Sequence, residues 1–390
     1  MKKETGITIV ALVVTIVVML ILVGVSVTVS INGGLFNTTK ESTYKTEVSQ
    51  VKEALEEEIV QRKARRESVD NITIKDLDIP NKIKDKYKDK LIIIGKDIYY
   101  DPANIEKDNE EAWLEEMDII ASTKLFTYNN NGDTITGLSE SGYTAIENGV
   151  TKFVMPTKLV SKDANGNRKV TTITTIEGNA FNATVEGKGA CAKIKSVIFP
   201  TTLTTLKTNA FDGCNGLEKI DLSKTQVTYI GQYAFSYCMN LKEAILPENL
   251  TGLDSFAFWH CEKMEKVNIG RITSVSPYCF QYCTSLKNIE IPDSVTYISE
   301  RSFQCCSSLE KLIIPSSVTS INFEAFASCE KIQEIRIPSS VTTISYNVFL
   351  QSAKGGKMYV PYTKEEEKPS GWHGAWNRSG ATIIYADETT

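Results

Sequence analysis

No charged residue stands between Glu4 and Lys40, and residues 7–31 are apolar except for Thr8, Thr15, Gly24, Ser26, Thr28 and Ser30. About 20 apolar residues span a bilayer as a helix, so the pattern predicts a transmembrane helix over 7–31. A secretory signal peptide has an apolar core of roughly 7–15 residues and ends at a small-residue cleavage site. This run is longer, and no Ala-x-Ala follows it. A buried core helix is the other alternative. Lys2 and Lys3 before the span favour a cytoplasmic N-terminus with the rest exported, while Lys40, Lys45 and Lys52 beyond it weaken that bias.

Asn32-Gly33-Gly34 breaks or kinks the apolar run, and a second helix is expected over 40–66. Val48, Val51, Leu55 and Ile59 share one face at helical spacing, opposite Glu56, Glu57 and Glu58. That stripe is expected to pack on the small domain that follows. Arg62, Lys63, Arg65 and Arg66 close the segment, as cations suit a helix C-terminus. Contact with lipid phosphates or wall polymers is the alternative. Residues 90–100 read as a β-hairpin, with 90–94 and 98–100 flanking Gly95-Lys96-Asp97. Residues 104–117 read as an acidic helix with Trp113 and Leu114 on its apolar side. Asn129-Asn130-Asn131-Gly132-Asp133 is a turn cluster that lacks the spaced acids of a calcium loop.

Beyond this point the pattern is a repeat, and the repeat decides the fold. Phenylalanines recur at 211, 235, 258, 280, 303, 326 and 349, at intervals of 24, 23, 22, 23, 23 and 23 residues. The unit reads Ala-Phe-x-x-Cys-x-x-Leu-x-x-Ile-x-Ile-Pro-x-x-Val-x-x-Ile, clearest over 326–344. Counted from Phe, positions +9 and +11 predict a strand: Ile220/Leu222, Ala244/Leu246, Val267/Ile269, Ile289/Ile291, Leu312/Ile314 and Ile335/Ile337. Pro247, Pro292, Pro315 and Pro338 end these strands, because proline cannot donate to a ladder. Phe181 opens a longer unit that resumes at Cys191, Ile194, Val197, Phe199 and Pro200. Phe153, Met155 and Pro156 form a first unit, and Met358, Val360 and Pro361 a last one. That makes nine strands, an array roughly 40 Å long at about 4.8 Å per strand. One unit cannot bury its own apolar face, so the stack must form together.

Two resemblances follow from these residues. The start, Met1-Lys2-Lys3-Glu4-Thr5-Gly6 followed directly by the apolar helix, resembles the type IV prepilin signal. The resemblance covers residues 1–65 and implies cleavage between Gly6 and Ile7 by a prepilin peptidase, with methylation of the new N-terminus. The fifth mature position is Ala11, where that family carries the Glu that pairs with a neighbouring subunit; tip subunits of pseudopilus systems also lack it. The repeat resembles the BspA-type leucine-rich repeats of bacterial surface proteins, over residues 135–385. That likeness implies a solenoid used for binding or adhesion, with no shared catalytic residues.

The repeat register explains the cysteines. Cys191, Cys214, Cys238, Cys261, Cys283, Cys306 and Cys329 all stand at +3, which stacks them in one interior file. Free cysteine is readily buried as a small apolar residue. Disulfides between neighbours are the alternative, and ligands in one file do not make a zinc tetrahedron. Cys279 and Cys305 lie outside the file and are the two candidates for reactivity. Such a thiol-rich exported chain suits a reducing habitat. At +7 the residues run Glu218, Lys242, Glu265, Lys287, Glu310, Gln333, and at +8 Lys219, Glu243, Lys266, Asn288, Lys311, Glu334. Alternating signs would pair neighbouring units, at a few tenths of a kcal/mol each.

Three adjacent units carry rings: Tyr233, Phe256 and Tyr278 two places before Phe, and Tyr237, His260 and Tyr282 at +2, with Trp259 beside them. Either one column packs inward, or the +2 column is exposed and Tyr237, Trp259, His260 and Tyr282 contact a ligand.

Composition narrows the function. Net charge is −5 over 390 residues, without the basic face that nucleic acid requires. His260 and His373 are the only histidines, and no phosphate loop, His-Glu-x-x-His or similar catalytic set is present. No enzyme activity, cofactor or metal is expected. Trp372-His373-Gly374-Ala375-Trp376 is expected to cap the solenoid, with Ile383 and Ile384 as a final strand.

The expected fold is α+β: a leader over 1–6, a transmembrane helix over 7–31, an amphipathic helix over 32–66 and a small α+β connector over 67–135. A β-rich leucine-rich repeat solenoid of about nine strands follows over 136–362, then a cap over 363–390. The expected function is a pilin-like, single-pass membrane protein that displays the solenoid outside the cell for adhesion, as a minor or tip pilin. Its partners would be the membrane, the prepilin peptidase, other pilins, and a protein or glycan ligand. The alternative is a membrane-tethered surface protein outside any filament.

Overall fold

The computed structural model describes residues 35–65, 67, 72–94, 97–100, 113–114, 120–162, 165 and 167–386. Leader residues Gly6 and Ile7, the expected membrane span and most of the expected helix over 104–117 lie outside the described residues. Among the described residues no helix is long and apolar enough to cross a membrane. The chain divides between Ala121 and Ser122 into two compact units.

In the first unit a long helix, α1 (Leu35–Arg65), starts earlier than the stripe alone indicated. Its stripe packs as expected: Tyr44, Val48, Val51 and Leu55 are buried against Ile72, Leu77, Ile83, Tyr87, Leu91, Ile93, Ile98, Tyr100 and Leu114. Ile59 and Trp113 pack on the edge of this core. The hairpin is formed by Leu91–Ile94 and Asp97–Tyr100, antiparallel, so Asp97 belongs to a strand. Arg62 binds Glu58 at 2.7 Å and lies 3.6 Å from Asp76, so this member of the basic cluster ties the helix end to the next segment.

The second unit is a stack of short parallel strands in two ladders. The first ladder carries the expected +9 residues: Phe153, Val197, Ile220, Ala244 and Val267 in one run, then Leu312, Ile335, Met358 and Ile383 in another. The rung expected at Ile289 is reduced to a single bridge between Asn288 and Lys311. Flanking residues of each rung point outward while the central one is buried, the alternation a half-buried strand requires.

The second ladder was not anticipated. The Val-x-x-Ile arm, for which no strand was expected, pairs as strands. Its rungs are Ile135, Ile176, Leu206, Ile230 and Leu253 in one run, then Val275, Ile298, Ile321, Ile344 and Trp372 in another. Consequently the solenoid begins near Ser122 and not at 136. Thr134–Leu138 is the first rung, and Phe126–Tyr128 closes its outer edge as an antiparallel strand. The Asn129–Asp133 cluster is the turn between them, with the Asn129 side chain holding the Gly132 and Thr134 amides and Asp133. Both ladders continue into the expected cap, which is therefore one more imperfect turn.

Between the ladders runs a third arm centred on the phenylalanines. Phe181, Phe211, Phe235, Phe258, Phe280, Phe303, Phe326 and Phe349 are buried and stack face to face, with centroids 4.9 to 5.7 Å apart. Phe126 closes one end edge-on, and Trp376, against Phe349 at 6.2 Å, closes the other. Backbone bonds run from unit to unit here too, such as Phe235 N–H to Ala257 O and Phe303 N–H to Ala325 O, both 2.9 Å.

Candidate functional site

The +3 file is built as expected and its chemistry is inert. All nine cysteines are free thiols. Each file thiol from Cys214 to Cys329 donates to the carbonyl of the Phe one unit earlier, for example Cys238 to Phe211 at 3.3 Å and Cys306 to Phe280 at 3.2 Å. In the last unit Ser352 takes the place and its hydroxyl donates to Phe326 O. The position therefore selects a small buried donor, which cysteine supplies with the least polarity. Burial raises these thiols, Cys191 to about 11. Cys279 occupies the Ala place before Phe280, is fully buried and is likewise raised. The expectation of reactivity at Cys279 fails for that reason. Cys305, at the +2 place, is half-buried, and burial raises it too.

The charged files meet as read in the early units. Lys219 lies 2.6 Å from Glu243, Lys242 lies 3.7 Å from Glu218, and Lys266 lies 3.8 Å from Glu243. These pairs are exposed and add little beyond register.

The ring residues converge. Tyr233, Phe256 and Tyr278 form one stacked column, each step 4.5 Å. Tyr237, His260 and Tyr282 form a second, with steps of 4.9 and 4.3 Å. Trp259 lies between the columns, edge-on to Tyr237 at 4.8 Å, to His260 at 4.8 Å and to Phe256 at 5.6 Å. Its indole N–H donates to Gln281 at 2.7 Å; Gln281 bonds Gln304, which donates to Glu324 at 2.8 Å. The four candidate ligand residues Tyr237, Trp259, His260 and Tyr282 are thus one cluster. All are half-exposed, and Tyr282 is 36% exposed.

The backbone beneath them is strained. Tyr233, Tyr237, Phe256, His260, Tyr278 and Tyr282 all have φ between 53° and 64°. That left-handed region costs an L-residue about 1–2 kcal/mol. Every unit from Phe211 to Phe349 uses it at these two places, held by Asn209 and Gly213 in the first of them and by Arg301, Cys305, Glu324 and Ser328 after the rings. A ring stack returns about 0.5–1.5 kcal/mol, so stacking at most balances the strain. The conformation belongs to the coil, and these three units place large rings on it. This signal was open to sequence reasoning only at the Asn and Gly positions.

The stacking also limits what the cluster can do. Each inner ring has both faces covered by its neighbours, so the columns present ring edges and phenol oxygens. Tyr237 differs, since its column neighbour one unit earlier is Gly213, which brings no side chain. Burial raises Tyr233, with Asp212 and Tyr278 adding to the effect. His260 Nδ1 is 3.4 Å from Glu262. No group of three or more His, Cys, Asp or Glu able to hold a metal occurs among the described residues.

A further column went unread in the sequence. Thr204, Thr228, Thr251, Thr273, Thr296, Thr319 and Thr342 form an exposed file beside the second ladder. Five of its members donate a hydroxyl to the preceding threonine carbonyl or its equivalent, as Thr251 does to Thr228 at 3.2 Å and Thr319 to Thr296 at 3.2 Å. The file is a side-chain hem on the ladder.

Comparison with known proteins agrees with this architecture. The model of the BspA type leucine rich repeat region matches in six copies, over residues 168–283 and 270–366. Among solved structures, a leucine-rich repeat protein from Bacteroides ovatus is 22% identical, covering 67% of this chain and 69% of its own, with a TM-score of 0.50. A leucine rich cell surface protein from Faecalibacterium prausnitzii is 19% identical over 67% of this chain and 92% of its own, with a TM-score of 0.40. A leucine rich repeat protein from T. pallidum is 20% identical over 64% of this chain and 90% of its own, with a TM-score of 0.38. At 22% identity the first of these speaks to the fold alone. No curated protein matches the chain.

Proposed function

The chain belongs to the BspA-type leucine-rich repeat family, and from that premise we propose that it is a membrane-anchored surface protein whose solenoid binds a ligand through the ring cluster. The observation that carries this reading is the convergence of six partly exposed rings, in two stacked columns, around Trp259. Ring edges and phenol hydroxyls meet carbonyl and hydroxyl oxygens, which both polypeptides and glycans supply. The cluster holds no nucleophile with an activating base, so the role is binding and not catalysis. A binding test separates the roles. Replacing Tyr237, His260 and Tyr282 together with Ala should abolish binding to host cells or surface polymers while the far-UV spectrum stays unchanged. Undiminished binding by the folded triple variant would remove the cluster from the function.

The mode of display follows from the first 31 residues. The apolar run serves as the anchor, and Gly6-Ile7 as a prepilin peptidase site. The protein would then enter a pilus or pseudopilus as a minor or tip subunit, a place compatible with Ala11. The mass of the mature N-terminus from native cells tests this: an N-methylated Ile7 is expected. An intact Met1, or cleavage beyond the apolar run, would leave the second reading, a surface protein outside any filament.

A further inference from the structure

Both ladders are interrupted at the same seam. The second ladder's first run ends at Gly252–Leu253 and resumes at Ser274–Val275, and among the described residues no strand pairing joins the two. The first ladder's first run ends at Lys266–Val267, and its second begins at Lys311–Ile313 with the Asn288 bridge. Traced along the coil, residues 251–267 face residues 273–289 across this seam.

The missing bonds can be named from the next turn of the coil. Thr296 N–H donates to Thr273 O, Ser299 N–H to Val275 O and Glu310 N–H to Lys287 O, at 2.9 to 3.0 Å. Their counterparts at the seam, the amides of Thr273, Ser276 and Lys287, make no backbone bond among the described residues. Two other bonds cross there, the Ser276 hydroxyl donating to Leu253 O at 2.6 Å and, at the corner, Arg271 N–H donating to Leu250 O at 2.8 Å.

The cause lies in the spacing. The unit from Phe258 to Phe280 is the one of 22 residues, and the deletion falls in its corner. Where other units read Ile-Pro-x-x-Val, this one reads Ile269-Gly270-Arg271-Ile272, with Gly270 at φ 61°. The short corner coincides with the parting of the ladder, while Val275 keeps the buried place that Leu253 and Ile298 hold, so the strands separate without changing face.

The phenylalanine arm is continuous across the seam. Phe256 N–H bonds Pro277 O, Phe258 N–H bonds Cys279 O and His260 N–H bonds Gln281 O, at 3.1, 2.9 and 3.0 Å. Phe256 stacks on Tyr278, Phe258 on Phe280 and His260 on Tyr282. The Trp259–Gln281 bond crosses at the same level.

We infer that the solenoid is articulated at this seam, as two stiff blocks joined along the phenylalanine arm and pinned by the two ring columns. The inference concerns the same surface as the proposed binding site but rests on the ladders. Its failure would leave the ligand reading standing, and the reverse also holds. A ligand seated on both columns would hold the blocks at one angle, because the columns straddle the joint.

Amide hydrogen exchange on the full chain tests the articulation without any ligand. Thr273, Ser276 and Lys287 should exchange at least about tenfold faster than Thr296, Ser299 and Glu310, their counterparts one turn later, since unbonded ladder amides open locally. Equal rates within about twofold would overturn the inference. A second variant combines Gly270→Pro with one serine inserted after Arg271, restoring the common Ile-Pro-x-x-Ile spacing. It should bring the three seam amides to the slower rate. Fast exchange persisting in the folded variant would also overturn the inference, since the short corner would not be the cause.

Discussion

Replacing Cys306 with Ala or Ser separates the two properties that the +3 file requires. Cys306 is fully buried, and its thiol donates to Phe280 O at 3.2 Å. Alanine removes one buried heavy atom, about 0.8 kcal/mol of transfer free energy. It also leaves a void the size of a methyl group, about 1 kcal/mol more. The carbonyl still holds the Cys283 N–H at 3.1 Å, so losing the thiol bond adds only about 0.5 kcal/mol. The sum is about 2 kcal/mol. Serine keeps the donor and most of the volume, as Ser352 does against Phe326 O. Its cost should be about 1 kcal/mol or less, the expense of burying a hydroxyl that finds a partner. Urea denaturation with unchanged m-values would give the order wild type, Ser, Ala. If the Ser variant proved as unstable as the Ala variant, the file would be selected for apolarity alone and the donor argument would be refuted.

Stability should fall in alkali: the thiols are raised in the fold, so their contribution is intact below the unfolded thiol value near pH 8.5 and is lost as pH rises through the folded values, about 11 for Cys191. Urea midpoints at pH 8 and pH 10 would show the drop, and the Cys306→Ser variant a smaller one. A thiol reagent at pH 8 should label Cys305 alone in the native protein and all nine cysteines in urea, because the other eight are buried; more than one fast native thiol would contradict the packing. Gly213→Ala should cost about 1–3 kcal/mol, since φ is 72° and the new Cβ would meet Thr184 Cγ2 at 2.7 Å; a thermal midpoint within a degree of wild type would refute that.

Much of the solenoid was legible because its core positions repeat. Phe, Cys and the +9 strand residue recur at nearly constant spacing, and each found its predicted column. The Trp372 and Trp376 cap was legible from its place after the last unit. The second ladder was not, because Val-x-x-Ile shows period three and gives no alternation, although its two-residue rungs are strands. Residues 122–138 escaped for a related reason: the first rung, Thr134–Leu138, lacks the Phe and Cys that mark a unit. Cys279 was misjudged because leaving the cysteine file was equated with leaving the core, whereas the place before Phe is equally buried. Tyr237, Trp259, His260 and Tyr282 were found as a group from register alone. The left-handed backbone under them was hidden because aromatic residues are not its signature. The 22-residue interval was plain in the sequence, but its meaning depends on a ladder that the sequence did not reveal.

The two ends of the phenylalanine stack are closed by unlike devices, Phe126 with its antiparallel strand at one and the Trp372–Trp376 pair at the other. Neither closure recurs inside the array. The regular 23-residue interior units, unlike the short Phe258 unit at the seam, are therefore interchangeable parts between fixed terminals. Duplicating a 23-residue unit such as that of Phe303 would offer its neighbours the same contacts they now have. The solenoid can thus gain or lose reach in steps of about 4.8 Å without altering either end. Length is the property this architecture leaves freest to vary.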